Sequence, residues 1–418
     1  MSNPASNFPS DPAHDPASDT APLRILADQA AVPGIRRALS RRGFFSLAGI
    51  AGAGALLAAC GSGGSGGSGG TGGDTKTADT ATGGKLEDTL SMYSWGDYDA
   101  PEVLTDFTKQ LGPKLVVDSF GSNEELISKL VAAKGTGGYD ILVPTGAYIP
   151  QMVENKLLMK LNKDLIPNIK YMDPAFLNKA WDPKGDYSIC KAWGTTGFVY
   201  DKTVITRELK TWNDFLDCAQ KEASGKTSVL DDPKEITGMY FWANGIDWNT
   251  TDPAHLDAVE KYLTGTLAPH VSAFDSNPGT GAIPQGTHAL IQVWNGDARQ
   301  GIIQSKKADK WQWVLGAPAT ELWMDNWAIS STAPHPNAAH AFINFVLTPE
   351  NQLKNVDYIG YHTGSKDIEE KAKQEDLPML DMIFFTPEQL ATMHEGTVNS
   401  ATERTVDIYN KMKAAASA

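Results

Sequence analysis

The sequence predicts an α/β fold in which a mostly parallel sheet is covered by helices on both faces. Strand patterns and helix patterns alternate along the chain from about residue 86 onward, as they do in successive β–α units. The chain has 418 residues, 41% of them hydrophobic, which is ample for a packed core of two or three domain-sized units. Beyond the N-terminal region no run of about 18 apolar residues occurs, so we expect no transmembrane helix in the folded body.

The predicted strands are short apolar runs that stop at turn-forming residues. The run 139–143 stops at Pro144, 228–230 stops at an Asp-Asp-Pro sequence, and 288–294 closes at Asn-Gly-Asp. In chain order, the predicted strands are 90–95, 114–120, 139–143, 192–200, 228–230, 288–294 and 321–329.

Each predicted helix has a recognisable start. Pro101 suits the first turn, where a helix accepts proline, and Ser122 or Asn123 suits the capping position before a turn rich in Glu. Thr211 with Asp214 forms a variant of the capping box. Further helices are predicted over 253–263, over 337–347 and after the Asn-Gly-Asp sequence at 295–297.

The first 59 residues predict an export signal rather than part of the fold. Residues 1–39 are rich in Pro, Ala, Ser and Asp, and a twin arginine at 41–42 precedes a short apolar segment, as in twin-arginine signals. The segment ends in Leu-Ala-Ala-Cys, which resembles a lipoprotein cleavage box, so we expect Cys60 to become the acylated first residue. A plain signal anchor with an incidental cysteine is the alternative.

Residues 60–85 predict a flexible tether behind the acylated Cys60. The segment is rich in Gly and Ser, and a coil of this composition and length has a root-mean-square span of about 27 Å. We therefore expect the mature protein to lie outside the cytoplasm, in the periplasm or at the cell surface, anchored to the membrane by its lipid.

The charge balance is acidic, with 36 Lys and Arg against 50 Asp and Glu and a formal net charge of −14. The acidity lies in the folded part, because residues 1–59 hold nearly equal numbers of basic and acidic residues. A nucleic-acid partner is not expected, since phosphate binding needs a basic face. A cationic ligand is compatible with this balance.

In open α/β sheets, ligands bind beyond the carboxyl ends of the strands. The segments at those positions place aromatic residues beside carboxylates, which suits an alkyl chain carrying two or three ammonium groups. Hydrogen bonds to charged groups, each about 1.5–3 kcal/mol, together with buried methylenes support about −8 kcal/mol, a micromolar affinity. The segments are 95–98, 144–148, 231–235, 294–296 and 323–325.

An ordered series of strings carries a family likeness. They are YSWGDY at 93–98, YDILVPT at 139–145, WNG at 294–296, WMD at 323–325 and IGY at 359–361. In these strings, their order and their spacing, the chain resembles the spermidine/putrescine-binding proteins of polyamine ABC transporters. The likeness covers roughly residues 86–415, and the series is far more specific than any one string.

The resemblance implies a two-lobed, periplasmic-binding-protein-like fold of type II, with hinge crossings and a ligand cleft between the lobes. Lobe 1 would comprise 86–194 and 324–369, and lobe 2 would comprise 195–323 and 370–418. The strings between residues 182 and 196 resemble the approach to the first hinge crossing.

The resemblance also implies a set of ligand-binding residues. The amine-binding carboxylates of the family fall on Asp97, Asp232, Glu235 and Asp325. Its aromatic walls fall on Trp95, Tyr98, Trp294, Trp323 and Tyr361. Thr145 matches a small hydroxyl residue near one ligand end, and Glu395 falls where the family usually has an amide.

The chain departs from the family at two of these segments. Ala147 stands where an aromatic residue is common, so the neighbouring Tyr148 is included among the predicted ligand-binding residues, and Gly96 replaces a hydroxyl residue. Several predicted site residues also have a structural alternative. The tryptophans suit a core, and Asp232 with Glu235 suits a helix start alone.

Cys190 and Cys218 would lie where disulfides persist, and the sequence leaves open whether they pair or remain two separate packing thiols. We expect no cofactor. We also expect no metal site, because the eight histidines are scattered, and His335 and His340, five residues apart, do not share a helical face well.

The expected function is a monomeric receptor that captures spermidine- or putrescine-type polyamines and delivers them to ABC transporter permease subunits, with no chemistry on the ligand. The same fold with another cargo, an amino acid, a phosphonate or a cationic vitamin, is the alternative. An anionic cargo would need basic residues at the strand ends, where only Lys234 occurs. An exported hydrolase or transferase would need a nucleophile with a base, or a metal constellation, and neither is recognisable.

Overall fold

The computed structural model describes residues 81, 83–133 and 137–417. The predicted export signal, the acylated Cys60 and most of the tether lie outside the described residues. Within the described part of the chain, no helix has the length and apolar character that crossing a bilayer requires.

Eleven strands form the sheet of this part of the chain. They are β1 (Thr89–Trp95), β2 (Lys114–Phe120), β3 (Ile141–Leu142), β4 (Leu158–Met159), β5 (Ile189–Asp201), β6 (Thr227–Leu230), β7 (Val271–Asp275), β8 (Leu290–Trp294), β9 (Trp311–Val314), β10 (Thr320–Ser330) and β11 (Met393–Glu395).

The helices lie between and beyond these strands. They are α1 (Pro101–Leu111), α2 (Asn123–Ala132), α3 (Ile149–Glu154), α4 (Trp212–Gln220), α5 (Pro233–Ala243), α6 (Pro253–Tyr262), α7 (Ala282–Gln285), α8 (Asn295–Gln304), α9 (Pro336–Val346), α10 (Pro349–Ile359), α11 (Ile368–Gln374), α12 (Pro387–Leu390) and α13 (Thr402–Ala416).

The strand order is β2-β1-β3-β10-β5-β8-β6-β7, with β4 and β11 paired to β10 and β9 paired to β5. Parallel pairing is confirmed at both ends of this order, in β2-β1-β3 and in β8-β6-β7. The two long central strands, β5 and β10, instead pair antiparallel with each other and with β8 and β3. The expectation of a mostly parallel sheet is therefore wrong at the centre, where these long strands are shared by both ends of the sheet.

Two main hydrophobic clusters fill the two ends of the sheet. One joins β1 and β3 to α1 and α9, where Phe107 meets Phe342 edge to face at 5.0 Å between ring centroids. The other surrounds Trp212, which packs against Trp242 at 5.1 Å. Fully burying an aromatic or aliphatic side chain stabilises the fold by about 1.5–3 kcal/mol, so these clusters hold each end of the sheet together.

Several helices begin at the residues that the sequence predicts. Pro101 begins α1, and Ser122 caps α2 by accepting a hydrogen bond from the backbone N–H of Glu125. The capping box at α4 is confirmed, because Thr211 and Asp214 bond reciprocally. For α5 the sequence indicates only the start, at Asp232 and Glu235; its length is not predicted, since eight of its eleven residues are buried and no polar face marks it.

Cys190 and Cys218 are free, buried thiols. They belong to different hydrophobic clusters, Cys190 to the one around β1 and α9 and Cys218 to the one around Trp212. Of the two alternatives that the sequence leaves open, the structure therefore supports two separate packing thiols.

Candidate functional site

One face of β10 carries three side chains of the site. Residues two apart along a strand point to the same side, so Glu321, Trp323 and Asp325 project together. From the first to the last of them the strand advances about 13 Å. The candidate site is therefore a row with a carboxylate at each end and an indole between them.

Asp325 is held at one end of this row by a residue that follows β3. The hydroxyl of Thr145 donates to Asp325 Oδ1 at 2.7 Å, and the two residues form an isolated β-bridge. Asn123, the first residue of α2, holds Thr145 in turn, because its amide donates to the hydroxyl at 2.9 Å and accepts from the backbone N–H at 3.0 Å. The predicted pair of Thr145 and Asp325 is thus a direct contact.

Asp325 is only 6% exposed. Burial raises the pKa of Asp325 to about 6, although the hydrogen bond from Thr145 and the positive charge of Lys191 lower it. Lys191 is not its ion-pair partner, since the ammonium lies 2.8 Å from Asp99. A buried carboxylate whose nearest cation is already paired favours the binding of an external cation.

Aromatic rings surround the middle of the row. Trp323 meets Tyr361 edge to face at 4.8 Å between centroids, and Tyr98 meets Tyr361 at 6.1 Å. The hydroxyl of Tyr98 lies within hydrogen-bonding reach of Asp325, and burial followed by the charge of Asp325 holds its pKa well above the usual range. These three predicted aromatic residues are therefore brought together beside Asp325.

Gly194 permits this close packing. It pairs with Trp323 in the antiparallel ladder between β5 and β10. A Cβ atom at position 194 would lie 2.6 Å from the Trp323 ring and 2.9 Å from the Tyr361 ring, closer than real Cβ contacts. Only glycine leaves room for both rings here.

Glu235 forms the other end of the site and is 2% exposed. Its Oε1 accepts hydrogen bonds from the Thr196 hydroxyl at 2.6 Å and from the Trp294 indole N–H at 2.8 Å. Its Oε2 is buried and has no donor among the described residues. Two predicted site residues, Glu235 on α5 and Trp294 on β8, thus contact each other, with one carboxylate oxygen left to accept a further donor.

Glu321 lies against Glu235 and was not among the predicted site residues. The two carboxyl groups are within hydrogen-bonding reach of each other. Burial and then the negative charge of Glu235 hold the pKa of Glu321 well above its ordinary range. The period of two along β10 from Asp325 and Trp323 would have found this residue.

Asp232 caps α5, as its structural alternative predicts. Its carboxylate accepts from the backbone N–H groups of Lys234 at 2.8 Å and Glu235 at 3.0 Å. Burial and the neighbouring charge of Glu235, followed by that of Glu124, raise the pKa of Asp232 to about 7. Asp232 is therefore both the N-cap of α5 and one of the carboxyl groups of the acidic site.

Tyr148 approaches the same acidic group from the β3 side. Its hydroxyl donates to Glu124 at 2.6 Å. Burial, then the charge of Glu124, and more weakly Asp232 and Glu321, hold the pKa of Tyr148 well above its ordinary range. Tyr148 thus lies beside the site, while Ala147 supplies no ring.

Trp95 and Asp97 lie at the end of β1. The Trp95 indole donates to the backbone carbonyl of Val143 at 3.1 Å, and its ring packs on Phe120 at 4.7 Å. Asp97 is exposed in a left-handed backbone conformation and bonds to no other described residue. Among the described residues, no hydrogen bond, ion pair or ring pair joins either one to Glu321, Trp323 or Asp325, and their role in binding stays a prediction.

Glu395 ends the short strand β11, which pairs with β10. Its carboxylate lies 3.1 Å from the ammonium of Lys179. This ion pair already neutralises the charge of Glu395, and its predicted ligand contact stays a prediction.

Asp297 is a second acidic residue that sequence reasoning missed. The Tyr361 hydroxyl donates a hydrogen bond to its carboxylate, and the Asp297 backbone N–H donates to that hydroxyl at 3.3 Å. Burial raises the pKa of Asp297 to about 6, although the Tyr361 hydrogen bond lowers it. Asp297 fixes the tyrosine ring that packs on Trp323.

The chemistry available here is recognition of positive charge. Buried carboxylates stand at both ends of an aromatic row, and no basic nitrogen of the described residues lies within 4 Å of Asp325, Glu235 or Glu321. No group of three His, Cys, Asp or Glu residues that would suit a metal ion occurs in residues 81, 83–133 and 137–417.

Known proteins share this fold and sequence. Residues 102–382 match the family model of the bacterial extracellular solute-binding proteins. The chain is 29% identical to "Spermidine/putrescine-binding periplasmic protein 1" of Haemophilus influenzae over 82% of this chain and 93% of that protein. It is 32% identical to the spermidine/putrescine-binding periplasmic protein of Escherichia coli over 66% of this chain and 77% of that one.

A solved structure agrees with these relatives. The putative spermidine/putrescine ABC transporter protein of Listeria monocytogenes superposes with a TM-score of 0.70 at 29% identity, over 78% of this chain and 98% of that one. The two-lobed α/β fold and the resemblance drawn from the sequence strings are thereby confirmed. This chain belongs to the bacterial extracellular solute-binding protein family.

Proposed function

We propose that this protein is an extracytoplasmic substrate-binding lipoprotein that captures polyamines and delivers them to an ABC transporter permease. The observation that carries the proposal is the row on β10. Asp325 and Glu235 are buried carboxylates with no basic partner within 4 Å among the described residues, and Trp323 lies on β10 between Asp325 and Glu321, the neighbour of Glu235. The names of the relatives agree with a polyamine ligand.

The dimensions of the row suit a linear diamine. The strand advances about 13 Å from Glu321 to Asp325. An ammonium donates to a carboxylate at about 2.8 Å, and a four-carbon diamine spans about 6 Å between its nitrogens. A diamine with one carboxylate contact at each end therefore matches the row, while its methylenes lie on the indole of Trp323.

The remaining predicted residues enlarge this site in the proposal. Tyr98, Tyr361 and Trp294 act as aromatic walls, Thr145 positions Asp325, and Asp232 adds negative charge beside Glu235. In the proposal, Trp95, Asp97, Tyr148 and Glu395 contact the additional length of a longer ligand such as spermidine. No catalytic step on the ligand is part of the proposal.

In the proposal, closure of the two lobes links ligand binding to delivery. Lobe 1, residues 86–194 and 324–369, and lobe 2, residues 195–323 and 370–418, would close on the ligand about β5 and β10, which both ends of the sheet share. The closed monomer would then be recognised by the permease. Acylated Cys60 and the tether of residues 60–85 would keep it at the membrane surface.

Isothermal titration calorimetry tests the ligand class. Putrescine, cadaverine and spermidine are titrated into the purified protein, with glutamate as an anionic control of similar size. We expect micromolar binding or tighter of at least one polyamine and no binding of glutamate. Asp325→Asn should weaken polyamine binding by more than tenfold. Absence of measurable binding for all three polyamines would contradict the proposal.

A further inference from the structure

Two carboxyl groups meet at the Glu235 end of the row. Glu235 Oε1 is fully used by Thr196 and Trp294, whereas Oε2 is buried without a donor. Glu321 projects from β10 toward this group and comes within hydrogen-bonding reach of it. Two carboxylates in such contact repel each other unless a proton or a cation lies between them.

The charged and titratable groups around this pair come from every neighbouring element. Lys234 on α5 is the nearest cation, but its ammonium donates to the Trp248 carbonyl at 2.9 Å and to the Asn249 side chain at 3.1 Å. The groups that face the pair are Asp232 and Lys234 on α5, Tyr148 and Glu124 from the β3 and α2 side, and His394 and Glu395 on β11.

Of these groups, Lys234 brings positive charge that lowers the pKa of Glu321, but burial and the negative charge of Glu235 outweigh it. Glu395 is itself paired with Lys179, and His394 is exposed and pairs with Glu321 only through the backbone. Asp232 and Glu124 add negative charge. Since Glu235 is buried and Glu321 is half-buried, the stable unliganded form carries one proton between the two carboxyl groups.

A ligand ammonium changes this balance. It brings a full positive charge and three N–H donors, enough to bond both Glu235 Oε2 and Glu321 at once. With the ammonium in place, both carboxyl groups are stable as carboxylates, and the shared proton passes to solvent. Each binding event therefore exchanges one proton for one ammonium at this position.

We propose that Glu321 is a specificity-determining residue at this end of the cleft. Glu235 and Glu321 share one proton, and a ligand ammonium that binds here displaces it. The inference rests on the proposed function and adds to it the linkage between pH and binding. It makes the site select for an end group that carries a full charge and several N–H donors.

The test compares Glu321→Gln with the wild-type protein by titration calorimetry of putrescine. Binding heats in phosphate and in Tris at pH 7 give the number of protons released, and affinities from pH 6 to pH 8 give the slope of log Kd against pH. Glutamine keeps the shape of glutamate, and its amide can donate to Glu235 Oε2 permanently. Glu208→Gln is the matched control, because the Glu208 side chain is 70% exposed and its carboxylate pairs with Lys210 at the surface.

We expect Glu321→Gln to release about one proton fewer per putrescine than wild type and to show a slope shallower by about one. Glu208→Gln should match wild type in both. Glu321→Met, in which the new side chain has a similar volume, should also release about one proton fewer per putrescine. This variant replaces Glu321→Gln in the test if the glutamine variant does not fold.

Equal proton release and equal slopes in wild type and a folded Glu321 variant would overturn this inference. Putrescine or another polyamine would still bind in that case, so the proposed function would stand. Absence of binding of any polyamine to wild type would instead overturn the proposed function, and this inference with it.

Discussion

Thr145 and Asp325 are joined by a 2.7 Å hydrogen bond in which the threonine hydroxyl donates to the carboxylate. The contact links the residue after β3 to β10 and fixes the orientation of the buried carboxylate. It also favours the charged form of Asp325, since the hydroxyl lowers a pKa that burial raises. Thr145 is therefore a positioning residue for cation binding in the proposed function.

Thr145→Val removes this hydroxyl while keeping the shape of the side chain. We expect putrescine affinity to fall about tenfold, or 1.4 kcal/mol, because Asp325 loses the donor that orients it and favours its charge. The loss of putrescine affinity should be smaller at higher pH, where Asp325 is charged even without the hydrogen bond from Thr145. Thr105→Val, on the exposed face of α1, is the control. Equal affinities of the two variants at pH 6 would show that Thr145 does not position Asp325.

Gly194→Ala should damage the site through sterics alone. The new Cβ would lie 2.6 Å from the Trp323 ring and must displace it. We expect polyamine affinity to fall more than tenfold and thermal stability to decrease, measured by calorimetry and thermal unfolding. Gly265→Ala is a matched control, since no atom lies within 4 Å of its added Cβ. Wild-type affinity in Gly194→Ala would mean that Trp323 is not a wall of the binding site.

Asp232 combines a helix cap with a charge in the acidic site, and two substitutions separate these roles. Asn is as good a cap as Asp, so Asp232→Asn should not lower the free energy of unfolding but should weaken polyamine binding. Asp232→Ala should weaken binding and also cost about 1 kcal/mol of stability. Urea unfolding and calorimetry measure the two effects. If Asp232→Asn binds as wild type does, Asp232 is only a cap.

The stability of the unliganded protein should fall as pH rises. The folded-state pKa values of Asp325 at about 6 and Asp232 at about 7 lie above the ordinary aspartate value. The folded state therefore binds more protons than the unfolded chain between about pH 4 and 7, and the stability from these groups is lost across that window.

Thermal unfolding from pH 4.5 to 8 checks this expectation. We expect the unfolding temperature of the unliganded protein to fall above about pH 6.5, where buried histidines such as His362, whose pKa burial lowers, no longer offset the carboxyl groups. Added putrescine should reverse part of the fall at pH 8. Asp232→Asn should flatten the upper part of the profile, since its side chain does not titrate. An unfolding temperature that rises steadily to pH 8 in the unliganded protein would contradict the buried-carboxylate account.

The sequence predicted those parts of the site that follow from local patterns. Trp323, Asp325 and Glu235 were predicted from the strand-end rule and the family resemblance, and the period of β10 and the start of α5 agree with their placement. The capping box at Thr211 and the helix start at Pro101 depend only on neighbouring residues, so they too were predictable.

Contacts between distant segments could not be predicted in the same way. The ion pair between Lys179 and Glu395 depends on how two remote segments pack, and no local pattern signals it. Glu321 shares a face of β10 with Trp323 and Asp325 by the period of the strand, but its approach to Glu235 on α5 could not be predicted from that pattern. The antiparallel pairing of β5 with β10 was missed for the same reason, because strand direction is set by the crossings of the chain.

A crystal structure of the protein grown with putrescine tests the central claim most directly. We predict one ligand nitrogen within about 3.2 Å of the Asp325 carboxylate, the other within about 3.2 Å of Glu235 or Glu321, and the methylenes on Trp323. Density for putrescine elsewhere on the protein, with this row filled by water, would contradict the account.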